Sequence, residues 1–583
     1  MRLDDRQSGF ALLTMLVLLA LLMGLILTHF SLTWIELSTT RASMNSFVGF
    51  YAAEAGLNVR ADLVRQDFTG YSQPAGTSPD TSSGTQCSGS NNGTGDFACA
   101  QYAFQDRSVI TWVEETGFSQ NPIVVPRGET YKNLHGHEYH YIVYSNAMSP
   151  KNLPEAVLEM HFKSRVIPLF QFAAFYDKDL EILAAEDLFL EGPLHTNGDL
   201  YVGSDNTLDI MGQLTVVGNL YHGRKDADVC MSGDVQVADP DDQTAIPACS
   251  GGRATISAPD VTAWNGMINL DVTPLTLPPA DVLDPVAGKP YWNSADIRIM
   301  LDLNGIPTVE VRHVDGTINV AATATLAACP TTSGKSTTLY DNREGTNISM
   351  LEINVQGLLN CLHNSGLASI DDTTDGGLVW YLGVDGPDSS VVNNYGVRVK
   401  NGAELVSTVP GAPAVAGLTI ASNQAVYIQG DYNAVNKIPA GFLADSLNVL
   451  SNNWSDANSS LALASRPATD TTIHAALFAG TDSTGGAEGV AGQDSAGYNG
   501  GLENFMRLHE DWTGDTLTYL GSLVSLRTPR YVDGVWAYGD PYYTGPTRAW
   551  NFDLDFEDAL LIPPLSPMFV YLRQELFVRQ FEL

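Results

Sequence analysis

The stretch GPLHTNGDLYVGSDNTLDIMGQLTVVGNLYHG, residues 192–223, decides the fold. Within it GDLYVG at 198–203 returns as GNLYHG at 218–223, an offset of 20 residues. Short apolar runs broken by Gly, Asn and Asp read as short strands joined by tight turns. A repeat of that length predicts a solenoid coil, each turn of chain lying on the one before. The same pattern resumes at 396–433, GVRVKNGAELVSTVPGAPAVAGLTIASNQAVYIQGDYN. Between the two lies a stretch rich in insertions, about 224–390, with acidic loops DADVC, ADPDDQ and DDTTDGG. Upstream, HEYHYIVYS (137–145) and AVLEMHF (156–162) read as paired strands of a small β-rich head. Thr69 to Gly95 has loop composition, rich in Ser, Thr, Gly, Asn and Pro.

The N-terminus is of another kind. A short polar leader ends at Gly9, and Phe10 to Phe30 follows as FALLTMLVLLALLMGLILTHF. This block has no Asp, Glu, Lys or Arg and is long enough to span a bilayer, which takes about 20 residues. No small-x-small cleavage site follows it in SLTWIELSTTRAS, so it does not read as an ordinary secretory signal. Helical spacing continues: Phe47, Phe50, Tyr51, Ala55, Leu57 and Val64 are expected to form a buried face. Arg41, Arg60, Asp62 and Arg65 are expected on the other side.

Gly9, Phe10 and the apolar block behind them resemble the class III signal of type IV prepilins. The resemblance implies cleavage after Gly9 by a prepilin peptidase on the cytoplasmic side, with Phe10 as the new N-terminus, N-methylated as in the family. FYAAEAGL (50–57) resembles the N-terminal segment of PilX-type minor pilins. IPLFQFAAFYDKDLEI, HTNGDLYVG, AVYIQGDYN, LSNNWSDANS and GGLENFMRLHEDWTG resemble a family of large exported proteins with such N-termini. That family implies a right-handed β-solenoid-like body carried on a pilin stalk. One residue departs from the major-pilin pattern: the fifth position of the mature chain is Thr14, where those subunits carry Glu. A carboxylate inside a bilayer needs a partner, and in pilins a neighbour's N-terminal amine supplies it. A subunit lacking it is suited to the first, tip position. Asp4 and Asp5 offset Arg2 and Arg6, so the positive-inside signal of the leader is weak.

Composition sets further bounds. At 583 residues the chain is long enough for two to four domains. A net charge of −36 with no clustered basic segment argues against nucleic acid as a partner. Six cysteines fall in three local pairs, Cys87 with Cys99, Cys230 with Cys249, and Cys329 with Cys361. Beyond the membrane the compartment is oxidising, so disulfides are expected rather than metal ligation; the spacing of a zinc site is absent. Six cysteines nevertheless allow fifteen connectivities, which sequence does not resolve.

No catalytic motif emerges: there is no GxSxG, GxxxxGK[ST], HExxH or GxGxxG opening a helix. His135, His137 and His140 with Glu138 are the densest histidine group and read as residues of a strand surface rather than a metal site. Asp371, Asp372, Thr373, Asp375 and Gly376 resemble the start of a calcium loop, but its twelfth position is Leu382, so the EF-hand pattern fails. A weak calcium site in an acidic loop is the one cofactor left open. Glu503, Glu510 and Asp511 suggest a carboxylate pair, yet ENFMRLHEDW reads as a short helix with a solvated face.

The expectation is a mainly β protein: leader 1–9; helix 10–66, transmembrane then amphipathic; β-rich head 67–165; β-solenoid-like body 166–450 with disulfide-closed insertions; C-terminal β-rich cap region 451–583. The expected role is a structural minor pilin, not an enzyme, at or near a type IV pilus tip, in assembly or adhesion. Its partners would be other pilins, the peptidase, the inner membrane before assembly, and a surface or polysaccharide receptor. A cap pseudopilin of a type II-like secretion system and a surface-anchored β-solenoid carbohydrate-active enzyme are the alternatives.

Overall fold

The structure is a computed structural model that describes residues 8–69, 74–119, 121–184, 187–226, 228–239, 242–275, 277–302, 307–313, 317–329, 333–364, 376–385, 394–484, 498–532 and 534–580. One helix, Ser8–Thr69, opens the chain. Its first half stands wholly exposed, from Phe10 through Leu37. Among the described residues it is the one helix long and apolar enough to cross a membrane, with mean hydropathy 2.9 over its most apolar window.

The second half of the helix packs on an antiparallel sheet. The buried positions are Gly49, Ala52, Ala53, Gly56, Leu57, Arg60, Ala61 and Val64, spaced by three and four as one helix face. The expected face is therefore corrected. Leu57 and Val64 lie inside and Phe50 and Ala55 are half-buried, but Phe47 and Tyr51 point outward and Arg60 is buried. The cause is close approach. A Cβ on Gly56 would sit 2.7 Å from Val109 Cγ1 and 2.8 Å from Ser145 Oγ, so that position has no room for a side chain. Arg60 is accepted on this face because its guanidinium donates to the carbonyls of Asp96 and Ala98, at 2.5 and 2.7 Å.

The sheet under the helix runs Ala100–Phe104, Arg107–Phe118, His135–Met148, Pro154–Pro168, Met568–Gln580. The two strands expected at 137–145 and 156–162 are paired, antiparallel, and longer than expected. The last strand corrects the sequence division. Residues 568–580 do not belong with 451–567; they lie beside Pro154–Pro168, from Met568 opposite Pro168 to Gln580 opposite Val157. The body is thus an insertion between two neighbouring strands of the head, and both connections meet where Leu169 N donates to Pro567 O at 2.8 Å.

The body is a parallel solenoid. Its first turn comprises Ala174–Tyr176, Leu180–Ala184 and Leu188–Glu191; its second comprises Leu194–Thr196, Leu200–Ser204 and Thr207–Met211. A third follows with Leu214–Val216, Leu220–His222 and Asp234–Asp239. The 20-residue offset is the rise of one turn: Leu180 pairs with Leu200, Leu200 with Leu220, and Ala174 with Leu194 and then Leu214. These side chains are buried and form continuous apolar columns, so the repeat and the core are one feature.

After the third turn the chain crosses to the far end of the stack and coils back. Its strands Ile297–Leu301, Leu378–Val384, Leu418–Ala421, Ala440–Leu443, Ala476–Ala479 and Leu523–Ser525 join the first turns in one 11-stranded sheet. Leu523–Ser525 pairs in parallel with Ala174–Tyr176, so the last turn lies on the first. The stretch 224–390 is corrected accordingly. It does not merely interrupt the coil, because Asp234–Asp239, Ile297–Leu301, Ser349–Asn354 and Leu378–Val384 are rungs of it. Long connections of unequal length hide the period.

Both ends of the stack are closed by antiparallel strands. Ala254–Ile256 and Asp242–Ala245 cover one end, and Pro307–Val311 and Ser333–Ser336 the other. In the 11-stranded sheet the first end is finished instead by the parallel strand Ile268–Asn269. These end strands are all short, which limits pairing with another chain. The disulfides Cys230–Cys249 and Cys329–Cys361 tie the loops and helices of these closures, and Cys87–Cys99 closes a loop of the head.

Candidate functional site

Gly9 and Phe10 lie in the first turn of the helix, which begins at Ser8. The Phe10 side chain is 73% exposed. The Thr14 hydroxyl donates to the carbonyls of Phe10 and Ala11, at 2.9 and 3.0 Å. It is thus turned back on its own helix, the usual resort of a hydroxyl in an apolar segment. This exposed segment has no contact that would bury it within the chain.

The histidine group is split by the sheet. Glu138 is buried and accepts from Arg165 Nε at 2.8 Å, with Lys163 Nζ at 3.2 Å and His140 Nε2 at 2.9 Å. Burial raises the Glu138 pKa, but the bonds from Arg165 and Lys163 outweigh it and hold the carboxyl below its ordinary value. His137 lies near the ring of Phe118, centroids 5.8 Å apart. The His135 backbone is bound by the Gln171 side chain at 2.6 Å. Among the described residues no group of three His, Cys, Asp or Glu side chains is placed to hold a metal. Asp371, Asp372, Thr373 and Asp375 lie outside the described residues, and Leu382 is buried in the strand Leu378–Val384.

Glu503, Glu510 and Asp511 overturn the expectation of a solvated helix. The segment is a 3-10 turn, Gly501–Asn504, followed by the strand Met506–Leu508. Glu503 is buried against Arg548 Nη1 at 2.9 Å. Glu510 accepts from Ser451 N at 2.6 Å and Ser451 Oγ at 2.7 Å, and burial pushes its pKa up to about 7. Asp511 accepts from Thr513 and Thr544, each at 2.7 Å, and these bonds hold it below its ordinary value. The three carboxylates hold different partners, the strand residue Arg548, the backbone and hydroxyl of Ser451, and Thr513 with Thr544.

Two features had escaped sequence reasoning. The first is a buried charge network on one face of the solenoid. Arg507 pairs with Glu344 at 2.7 Å, Asp341 accepts from Tyr427 Oη at 2.7 Å, and Arg343 donates to the carbonyls of Leu508, Val535 and Ala537. Burial drives the pKa of His509, beside Asp341, down to about 3, so it stays neutral. The network fastens the turn at 340–347 and the segment 534–537 to the sheet. Its two main clusters, 341–344 and 507–509, are some 165 positions apart, too far to signal one another in sequence.

The second feature is a cleft of about 600 Å³ where head meets body. The head loop carrying Arg127, Lys132 and Asn133 forms one wall. Successive solenoid corners form the other, Glu191–Gly192–Pro193 above Met211–Gly212–Gln213. These corners are glycine because the turns stack on bare backbone: a Cβ on Gly212 would lie 2.0 Å from the Gly192 carbonyl oxygen.

No protein-family model matches the chain, and no curated protein matches it. Among solved structures, the crystal structure of the competence-associated pilin ComZ from Thermus thermophilus aligns over 92% of this chain and 98% of its own, at 12% identity and a TM-score of 0.27.

Proposed function

We propose that this chain is a large minor pilin of the PilX type, stored in the inner membrane through Phe10–Phe30, cut after Gly9, and displayed at or near a type IV pilus tip. Its role is structural, in priming assembly or in adhesion, and its body is the part presented outward. The observation that carries the reading is the division of one helix into two halves. The first half exposes an unbroken apolar surface, while the second is sealed to the head by a line of small residues. Such a surface is stable only in lipid or among other apolar helices, where burial is worth about 25 cal/mol per Å². The insertion of the body between two adjacent head strands supports display, since it leaves the helix unobstructed.

Mass spectrometry of the surface-exposed protein tests this reading. A mature N-terminus at Phe10 is expected, and Gly9→Val should leave the full leader attached and the protein in the membrane. An intact Met1 on surface-exposed protein would overturn it.

A further inference from the structure

The cleft between head and body carries chemistry of its own. We propose that it binds an acidic saccharide. The proposal rests on the adhesive reading above and names the ligand class for it. The chain has 66 acidic residues against 30 Lys and Arg, so cations are scarce. Most described Lys and Arg side chains are taken up in ion pairs or bonds to carbonyls. Arg127 and Lys132 have no such side-chain partner among the described residues, yet they line the same cleft. Glu191 and Glu557 line it too, and neither lies within 4.0 Å of a cation among the described residues. The cleft has therefore not closed on its own charges.

The walls are held in place before any ligand arrives. The Gln171 side chain accepts from His135 N at 2.6 Å and donates to His135 O, bonding the first strand of the head hairpin to the start of the body. Preorganised walls lower the ordering cost of binding. The volume lies within the range of small-molecule sites. A carboxylate or phosphate suits the guanidinium of Arg127 and the ammonium of Lys132. Hydroxyl groups suit Glu191 and Glu557 as acceptors, and Asn133 and Gln213 both donate and accept. A polyhydroxylated anion satisfies all of these; a simple anion uses only the cations.

The test is titration calorimetry on the full-length protein in detergent micelles. The probes are an oligogalacturonate trimer, a glycerol-phosphate-linked saccharide, neutral maltotriose and inorganic phosphate. A protein of net charge −36 repels polyanions in general, so binding must come from a local site. One or both anionic saccharides should bind, and maltotriose and phosphate should not. Which one binds separates a carboxylate from a phosphate as the recognised group. Arg127→Glu and Lys132→Glu should each weaken binding about tenfold or more, the scale of one charge-assisted hydrogen bond. Lys151→Glu, an exposed head residue away from the cleft, should leave it unchanged. No binding by either anionic saccharide, equal binding by Arg127→Glu, or phosphate binding as tightly as the saccharides would overturn the proposal. None of these readouts involves assembly, so failure here leaves the pilin reading standing, and failure of N-terminal processing leaves this one standing.

Discussion

Ser522 Oγ donates a hydrogen bond to the carbonyl oxygen of Phe172 at 2.6 Å, joining residues 350 positions apart. Next to it, Leu523 N donates to Ala173 O at 3.0 Å, and the strands Leu523–Ser525 and Ala174–Tyr176 run on in parallel. The end of the solenoid is thereby sewn to its beginning. In a stack whose turns touch only their neighbours, this seam couples two arms that are far apart in sequence.

Ser522→Ala should therefore weaken the whole body rather than one loop. Removing the donor leaves a buried carbonyl unpaired and costs about 1–2 kcal/mol. Chemical denaturation reads the loss, and hydrogen exchange should show faster opening on both sides of the seam. A change confined to the last turn would mean that the arms fold independently.

Gly56 sets the distance between helix and sheet. Gly56→Leu places atoms where Val109 Cγ1 and Ser145 Oγ already stand, at 2.7 and 2.8 Å from the first added carbon. Overpacking of this kind costs about 1–3 kcal/mol or more. Limited proteolysis should then cut the helix between residues 45 and 66, while the solenoid stays resistant. Unchanged resistance at the helix would show that the sheet can yield there.

How much of this was legible in the sequence depends on how regular each element is. Leu180, Leu200 and Leu220 are separated by two equal steps of 20 residues, so the solenoid can be read from GDLYVG and GNLYHG alone. Loops of unequal length then separate the rungs, from the last strand of the third turn into the far arm, which blurs Asp234–Asp239 and Ile297–Leu301 into apparent insertion. The strand Met568–Gln580 carries no local mark of its partner, because what pairs it with Pro154–Pro168 is the fold of everything between. The helix face was misread because hydrophobicity favours Phe47 and Tyr51, whereas the sheet comes too close for anything larger than Ala over much of the contact. Glu510 was misread for the opposite reason: a charged residue beside Asp511 suggests a wet surface, and Ser451 makes it a buried acceptor.

That burial predicts a pH dependence. The Glu510 carboxyl, with Arg466 and Asp515 near it, is pushed up to about 7 from an ordinary value of 4.5. Between those values the folded chain keeps a proton that the unfolded chain has released. This group's contribution to stability therefore falls as pH rises from about 4.5 to about 7. At about 1.4 kcal/mol per pK unit, the loss is on the order of 3 kcal/mol. Glu510→Gln cannot lose that proton, so its stability relative to the parent should improve from pH 4.5 to pH 8. Parallel pH profiles for the two proteins would show that Glu510 titrates in the folded chain as it does in the unfolded one.

The three disulfides leave no free cysteine, so alkylation without reduction should label none of the six. Replacing Cys230 and Cys249 together by Ser should loosen the closure at one end of the stack, at a cost of about 3 kcal/mol in the chain-entropy picture. Hydrogen exchange should rise around Asp234–Asp239 first and leave Ile297–Leu301, at the other end, unaffected. A uniform rise would mean that the closures support the whole stack rather than its ends.

In the filament proposed above, Thr14 bears on where the subunit would sit. Its hydroxyl hydrogen is already committed to the carbonyls of Phe10 and Ala11, so it offers a neighbouring chain a neutral acceptor and no charge. A pilin that docks beneath another needs a carboxylate to meet the upper subunit's amine, since either charge alone is costly in the apolar core. On the pilin reading proposed above, a chain without it would be suited to the first position, and a body of this size would also obstruct regular lateral packing. Immunogold labelling of sheared pili should place the protein at ends, and even label along shafts would reject the tip position. Thr14→Glu separates the two causes. If the missing carboxylate bars internal positions, the variant should appear within shafts several-fold more often than the parent. If its distribution does not change, the bulk of the body keeps the subunit at the end, and deleting residues 174–562 while retaining the head strand Met568–Gln580 should then move it inward.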